Sequence, residues 1–142
     1  MNYTSISPLT PFDNMSRRGD FIEMVVNSFS DAFGFGIKAK ALFSLAVHHA
    51  YKNNDNPVLS DIIDELNLLD IRSEDEELRC DIGLLFPFAN DNSYPEYNLF
   101  SDRDGYALNQ INLDGIKLIL MNVSNHNIKV FFEKMILFSL MF

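Results

Sequence analysis

The side chains whose types could do chemistry are three histidines, one cysteine, a run of carboxylates and two glycine-containing turns. His48 and His49 are neighbours in a helically patterned segment, so their rings point about 100° apart and cannot face one ion. His126 and Cys80 stand far from them in the chain, and no group has the spacing of metal ligands. Gly34-Phe35-Gly36 lacks the third glycine and the preceding strand of a dinucleotide loop. A phosphate-cradling Gly-x-x-x-x-Gly-Lys-[Ser/Thr] loop is absent as well. Asp102-Arg103-Asp104-Gly105 starts like a calcium loop, but its glycine is fourth rather than sixth and no bidentate glutamate follows at the twelfth place. It reads as a turn. Glu74-Asp75-Glu76-Glu77 suits the positive end of a helix dipole and reads as solvated rather than as a perturbed acid-base pair. Neither Gly-x-Ser-x-Gly nor a Cys-His signature supplies a nucleophile, and Arg17-Arg18 reads as surface. No catalytic residue, metal ligand or cofactor-binding residue is assigned, and no cofactor is expected.

The elements that must position these side chains are mostly helical. Pro8 and Pro11 keep the first fourteen residues extended or irregular. Asp13, Asn14 or Ser16 can cap a helix burying Phe21, Ile22, Val25, Val26, Phe29, Ala32 and Phe33, which recur at helical spacing. Gly34 and Gly36 supply left-handed turn positions. A second helix follows with the stripe Leu42, Leu45, Ala46, Ala50 and Tyr51, and Pro57 stops it. Ser60 caps a short helix burying Ile62, Ile63 and Leu66. Ser73 and Glu76 form a capping box for a fourth helix over residues 74 to 85. Residues 86 to 105 have no period and read as a long loop with a mobile tip. The apolar run at 116 to 123 reads as a strand covered on both faces. Ser124 or Asn125 then caps a last helix with Ile128, Phe131, Phe132, Met135 and Ile136 inward. The expected fold class is α+β and mostly helical, with about five helices and one C-terminal strand followed by an apolar helix. The expected organisation is a single domain or segment over 1 to 142: a helical hairpin (1 to 56), acidic helices (57 to 85), a loop (86 to 114) and a strand-helix unit (115 to 142).

A chain of 142 residues can bury a core without disulfides or metals. Its lone cysteine, and the lack of a basic-then-apolar leader, point to the cytoplasm. No apolar run reaches the roughly 20 residues that span a bilayer, so no membrane association is expected. The net charge of −9 is regional: residues 57 to 114 hold fourteen acidic and three basic side chains, whereas residues 115 to 142 hold one acidic and three basic. That middle region would repel a phosphate backbone, so direct nucleic-acid binding is not expected there. The region reads first as a solvated acidic face, and second as a docking surface for a basic protein partner. The last eight residues contain one serine and no charge, leaving the final helix without the polar or basic last turn that usually closes one.

Pro11-Phe12-Asp13-Asn14, the helix closing on residues 30 to 36, the segment 38 to 51 and Pro57-Val58-Leu59-Ser60-Asp61 together resemble the helical insertion of HerA/FtsK-type DNA-translocating ATPases. Asn98-Leu99-Phe100, the run 115 to 121 and residues 131 to 142 resemble the return into that family's central sheet and the helix before its Walker B strand. The nearest flavour is the helicase-like ATPase of DNA-modification-dependent defence systems. The chain has neither Walker A nor Walker B. The resemblance therefore implies a non-catalytic segment that covers a motor core and makes subunit or partner contacts.

Two routes to a partner follow from the sequence. One is a protein partner or self-association through the apolar C-terminal end, at Met135, Phe138 and Phe142. The other is a basic protein at the acidic run Glu74, Asp75, Glu76 and Glu77. The alternative to a translocase-like segment is a free-standing small acidic protein of a bacterium or phage that inhibits or adapts a larger nucleic-acid machine. An enzyme with its site in the 86 to 105 loop is the third option.

Overall fold

Helix α1 (Arg18–Phe33) forms where the apolar spacing demands it and ends where Gly34 takes φ 68°, a left-handed conformation that costs glycine nothing. The Phe35 amide then donates back to the Ser30 carbonyl at 3.0 Å. In the computed structural model, which describes residues 6–12, 17–69 and 75–141, six more α-helices follow: α2 (Ile37–Asn53), α3 (Leu59–Leu68), α4 (Glu76–Gly83), α5 (Phe86–Asn90), α6 (Leu113–Asn122) and α7 (His126–Met141). Short 3₁₀ turns lie at Pro95–Leu99 and Leu108–Gln110. The proposed caps Asp13, Asn14, Ser16 and Ser73 fall outside the described residues.

The helices pack in the order α7, α1, α2, α3, with α4 against α2 and α5 against α3. Phenylalanine fills the joint between them. The Phe29 ring of α1 stacks on Phe131 of α7 at 4.0 Å and meets Phe43 of α2 edge-on at 5.4 Å. Phe100 closes the group, 5.7 Å from both Phe131 and Phe132. Such offset and edge contacts add to the apolar burial itself. At the other end of α1, Arg18 donates to the Asn54 and Asp55 carbonyls at 2.9 and 2.8 Å, placing a cation at the negative end of α2. Its guanidinium lies 5.2 Å from the centre of the Tyr51 ring. The Tyr51 hydroxyl donates to the Leu9 carbonyl. Burial pushes that phenol above its ordinary value of 10 even though Arg18 opposes the shift.

The expected α+β class is overturned: among the described residues the chain is helical throughout, with no strand and seven α-helices rather than about five. The strand expected at 116 to 123 is helix α6. Asn112 caps it by accepting from the Gly115 amide at 2.8 Å. The buried positions Gly115, Ile116 and Ile119 keep helical phase, while Leu118 and Met121 face solvent. A short apolar run fits strand or helix equally by periodicity; the cap decides. The 86 to 105 segment, expected as one long loop, contains α5 and the Pro95–Leu99 turn. Gly36 is not left-handed, since it caps α2 at φ −70°. The α2 stripe also differs in detail: Phe43 and Val47 are buried, and Leu45 is exposed.

The nearest approach to β structure is an isolated parallel bridge between Ile6 and Tyr106. There the Ser7 amide donates to the Tyr106 carbonyl at 2.8 Å. A Cβ on Gly105 would sit 2.5 Å from the Ile6 carbonyl carbon, and backbone on both sides cannot yield cheaply. Gly105→Ala is expected to destabilise by about 1–3 kcal/mol, as overpacking does. An unchanged urea midpoint would show that the two segments are not held this close. Inside α1, the Ser28 hydroxyl is buried without a hydrogen-bond partner. Removing an unpaired buried hydroxyl relieves its desolvation cost. Ser28→Ala should accordingly be neutral or stabilising by about 1 kcal/mol, and a clear loss in thermal midpoint would contradict this.

Candidate interaction surface

Of the two caps the sequence offers for α7, Asn125 takes the place, its side chain accepting from the Ile128 amide at 3.0 Å. The inner face of α7 carries Ile128, Phe131, Phe132 and Met135, all fully buried. That phase sends the opposite face outward: His126, Lys129 and Glu133 in the first half, then Leu137, Leu140 and Met141. The last three are 62%, 77% and 74% exposed. Phe138 and Ile136 are half-buried and rest against the core. The final turns of α7 are therefore apolar on every side, a pattern that belongs to helices buried all round. Of the three expected contact residues at this end, Met135 lies inside the chain's own core, Phe138 lies on the boundary, and Phe142 is outside the described residues. Leu137, Leu140 and Met141 were not singled out by the sequence reading. Carried on, the 128, 131, 132, 135 phase leads to 138 and 139, and Leu137, Leu140 and Met141 are what it leaves on the opposite face.

The acidic run has a different local role. Glu74 is outside the described residues. Asp75 caps α4, accepting from the Leu78 amide at 3.1 Å, and pairs with Lys38 at 3.1 Å. The Leu78 amide and then the Lys38 ammonium hold its carboxyl below the usual range. Glu76 and Glu77 are exposed in the first turn, where the helix dipole favours them. Asp81, one turn on, accepts from the Gly36 amide at 3.0 Å and so caps α2 from outside it. A cleft of about 180 Å³ lies between these residues, lined by Gly36, Lys38, Asp75, Glu77 and Asp81 among others. It falls below the roughly 300 Å³ at which small-molecule sites begin, and its carboxylates already serve α2 and α4.

Among the described residues the one buried carboxylate is Glu96, at 1% exposure. It accepts from the Ser124 amide (2.8 Å), the Ser124 hydroxyl (2.8 Å) and the Asn125 amide (2.7 Å). These donors lie at the junction of α6 and α7, where α7 also presents the positive end of its dipole. Burial pushes the Glu96 carboxyl up, but the Asn125 and Ser124 donors outweigh it, and the net shift is downward. No short-range pattern marks this residue in the sequence, because its partners are 28 and 29 residues away.

The remaining polar groups make surface ties. His48 pairs with Glu23 at 3.2 Å and His49 with Glu65 at 3.6 Å, on different faces of α2 as their adjacency requires. Arg103 reaches Asp61 at 2.8 Å and the Asn56 carbonyl at 3.0 Å, fastening the 102 to 105 turn to the start of α3. Asp61 itself accepts from the Val58 amide at 2.9 Å. Cys80 is exposed on α4. Among the described residues no group of three His, Cys, Asp or Glu side chains could hold a metal ion, and no helix is long and apolar enough to cross a membrane. The exposed surface is apolar at the end of α7 and acidic at the start of α4. No family model matches the chain, and no curated protein or solved structure matches it either.

Proposed function

We propose that this protein is a non-catalytic interaction module that docks another protein chain through the last turns of α7. One observation carries this: Leu137, Leu140 and Met141 lie exposed together at the end of a helix whose other face builds the core. Three large apolar side chains at i, i+3 and i+4 form the kind of anchor an apolar groove accepts. Scattered surface hydrophobics need no explanation, but a contiguous patch does. The acidic edge is the weaker candidate, because Asp75 and Asp81 already cap helices within the chain. A place within a HerA/FtsK-type translocase is compatible with a non-catalytic role. The part of that resemblance resting on a strand at 116 to 123 is lost with the strand.

In the absence of its partner, the exposed end of one copy meets that of another. The double variant Leu137→Glu, Leu140→Glu should keep a thermal midpoint close to that of the native chain, since both side chains are outside the core. It should lose the native chain's self-association, read by light scattering after size separation. A double variant that associates as the native chain does would move the docking surface elsewhere.

A further inference from the structure

Helix α6 sits differently from the others. Of its ten residues only Gly115, Ile116 and Ile119 are buried, and its contacts with the other helices are sparse. Its outer face is mixed, with Leu113, Leu118 and Met121 65%, 40% and 82% exposed beside the exposed Asp114, Lys117 and Asn122. The hydrogen bonds of its side chains are local: Asn112 serves the Gly115 amide, and Asn122 donates to the Leu118 carbonyl at 2.9 Å. Between described residues, no ion pair ties α6 to another element. The chain beyond it is fixed firmly, by the three hydrogen bonds that Glu96 accepts from Ser124 and Asn125.

We infer that α6 is a displaceable lid, swinging as an intact helix about residues 111–112 and 122–123, while Glu96 pins the start of α7 so that the motion stops there. The asymmetry between the two sides of the second hinge is what makes this a device rather than general looseness. On one side, a helix is held by Ile116, Ile119, the half-buried Leu120 and local caps; on the other, a buried carboxylate grips two backbone amides. Elements with few buried contacts open at lower free energy than the core around them. Opening uncovers the part of the core beneath Ile116, Ile119 and Leu120, and it frees a helix whose outer face carries Leu113, Leu118 and Met121 beside Asp114, Lys117 and Asn122. The lid stands independently of what the last turns of α7 dock.

Native-state hydrogen exchange on the full chain tests this at two levels. In the native protein the amides of residues 117 to 122 should exchange at least about 100-fold faster than those of residues 131 to 135 in α7. Equal protection in the two helices would overturn the lid. In Glu96→Gln, fast exchange should spread into residues 126 to 130 while the middle of α1 stays protected. If the variant folds and the start of α7 remains as protected as before, Glu96 is not the latch. The native-protein comparison stands even if that variant does not fold.

Discussion

Phe29→Ala is expected to remove about 3–5 kcal/mol of stability, the usual cost of truncating a buried phenylalanine. Phe29 is fully buried and touches the rings of Phe33, Phe43, Phe100 and Phe131, so it joins α1 to α2, to α7 and to the segment after the Pro95–Leu99 turn. Those neighbours belong to four separate parts of the chain and cannot all move in to fill the space. A domain of this size has about 5–15 kcal/mol in total. The substitution should therefore reduce the urea midpoint by about a fifth or more. Phe29→Leu, which keeps most of the volume, should cost markedly less. A loss below about 1 kcal/mol for the alanine variant would mean that the aromatic joint is not the centre of the core.

The second large effect is expected at Glu96. Glu96→Ala leaves two backbone amides and the Ser124 hydroxyl without their acceptor at the part-buried turn between α6 and α7. Hydrogen bonds to a charged group contribute about 1.5–3 kcal/mol each, and water at this part-buried turn can replace some of them, so a loss of about 2–3 kcal/mol is expected. The same carboxylate makes stability depend on pH. Its folded value lies below its ordinary value of 4.5, so the unfolded chain binds the proton first as the pH falls. The stabilisation is therefore complete above that ordinary value and is lost progressively below it, as the pH falls through the folded value. Chemical denaturation of the native chain and of Glu96→Gln, followed from neutral pH into the acid range, checks the sign. The gap between the two should narrow on acidification, and a gap that widens would contradict the account.

The parts of this fold legible in the sequence are those set by local chemistry. The phase of α1, its stop at Gly34, the Asn125 cap and the inward face of α7 all follow from apolar spacing and neighbouring polar atoms. The error at residues 116 to 123 has an equally local cause. Ile116, Ile119 and Val123 suit a strand, and Leu118 and Met121 between them give the run its unbroken apolar look. Those two are instead exposed, so burial on both faces, the premise of a covered strand, does not hold. Asn112, three residues before Gly115, is the local helix-start signal that the strand reading takes no account of. Other features had no local trace. Asp81 caps a helix that starts 45 residues earlier, and Gly105 is held small by backbone from residue 6. Of the candidate contact residues, the helical period alone separates Met135, which the core consumes, from Leu137, Leu140 and Met141, which it leaves outside.

The apolar end of α7 as a docking surface is the claim on which the functional account stands. Sedimentation equilibrium of the native chain over a range from low to high micromolar concentration tests it most directly. The account predicts a mass that rises reversibly with concentration above the 16.3 kDa of one chain, and a rise that Leu137→Glu, Leu140→Glu abolishes. A single species of one-chain mass at every concentration, with a cooperative melt, would contradict it.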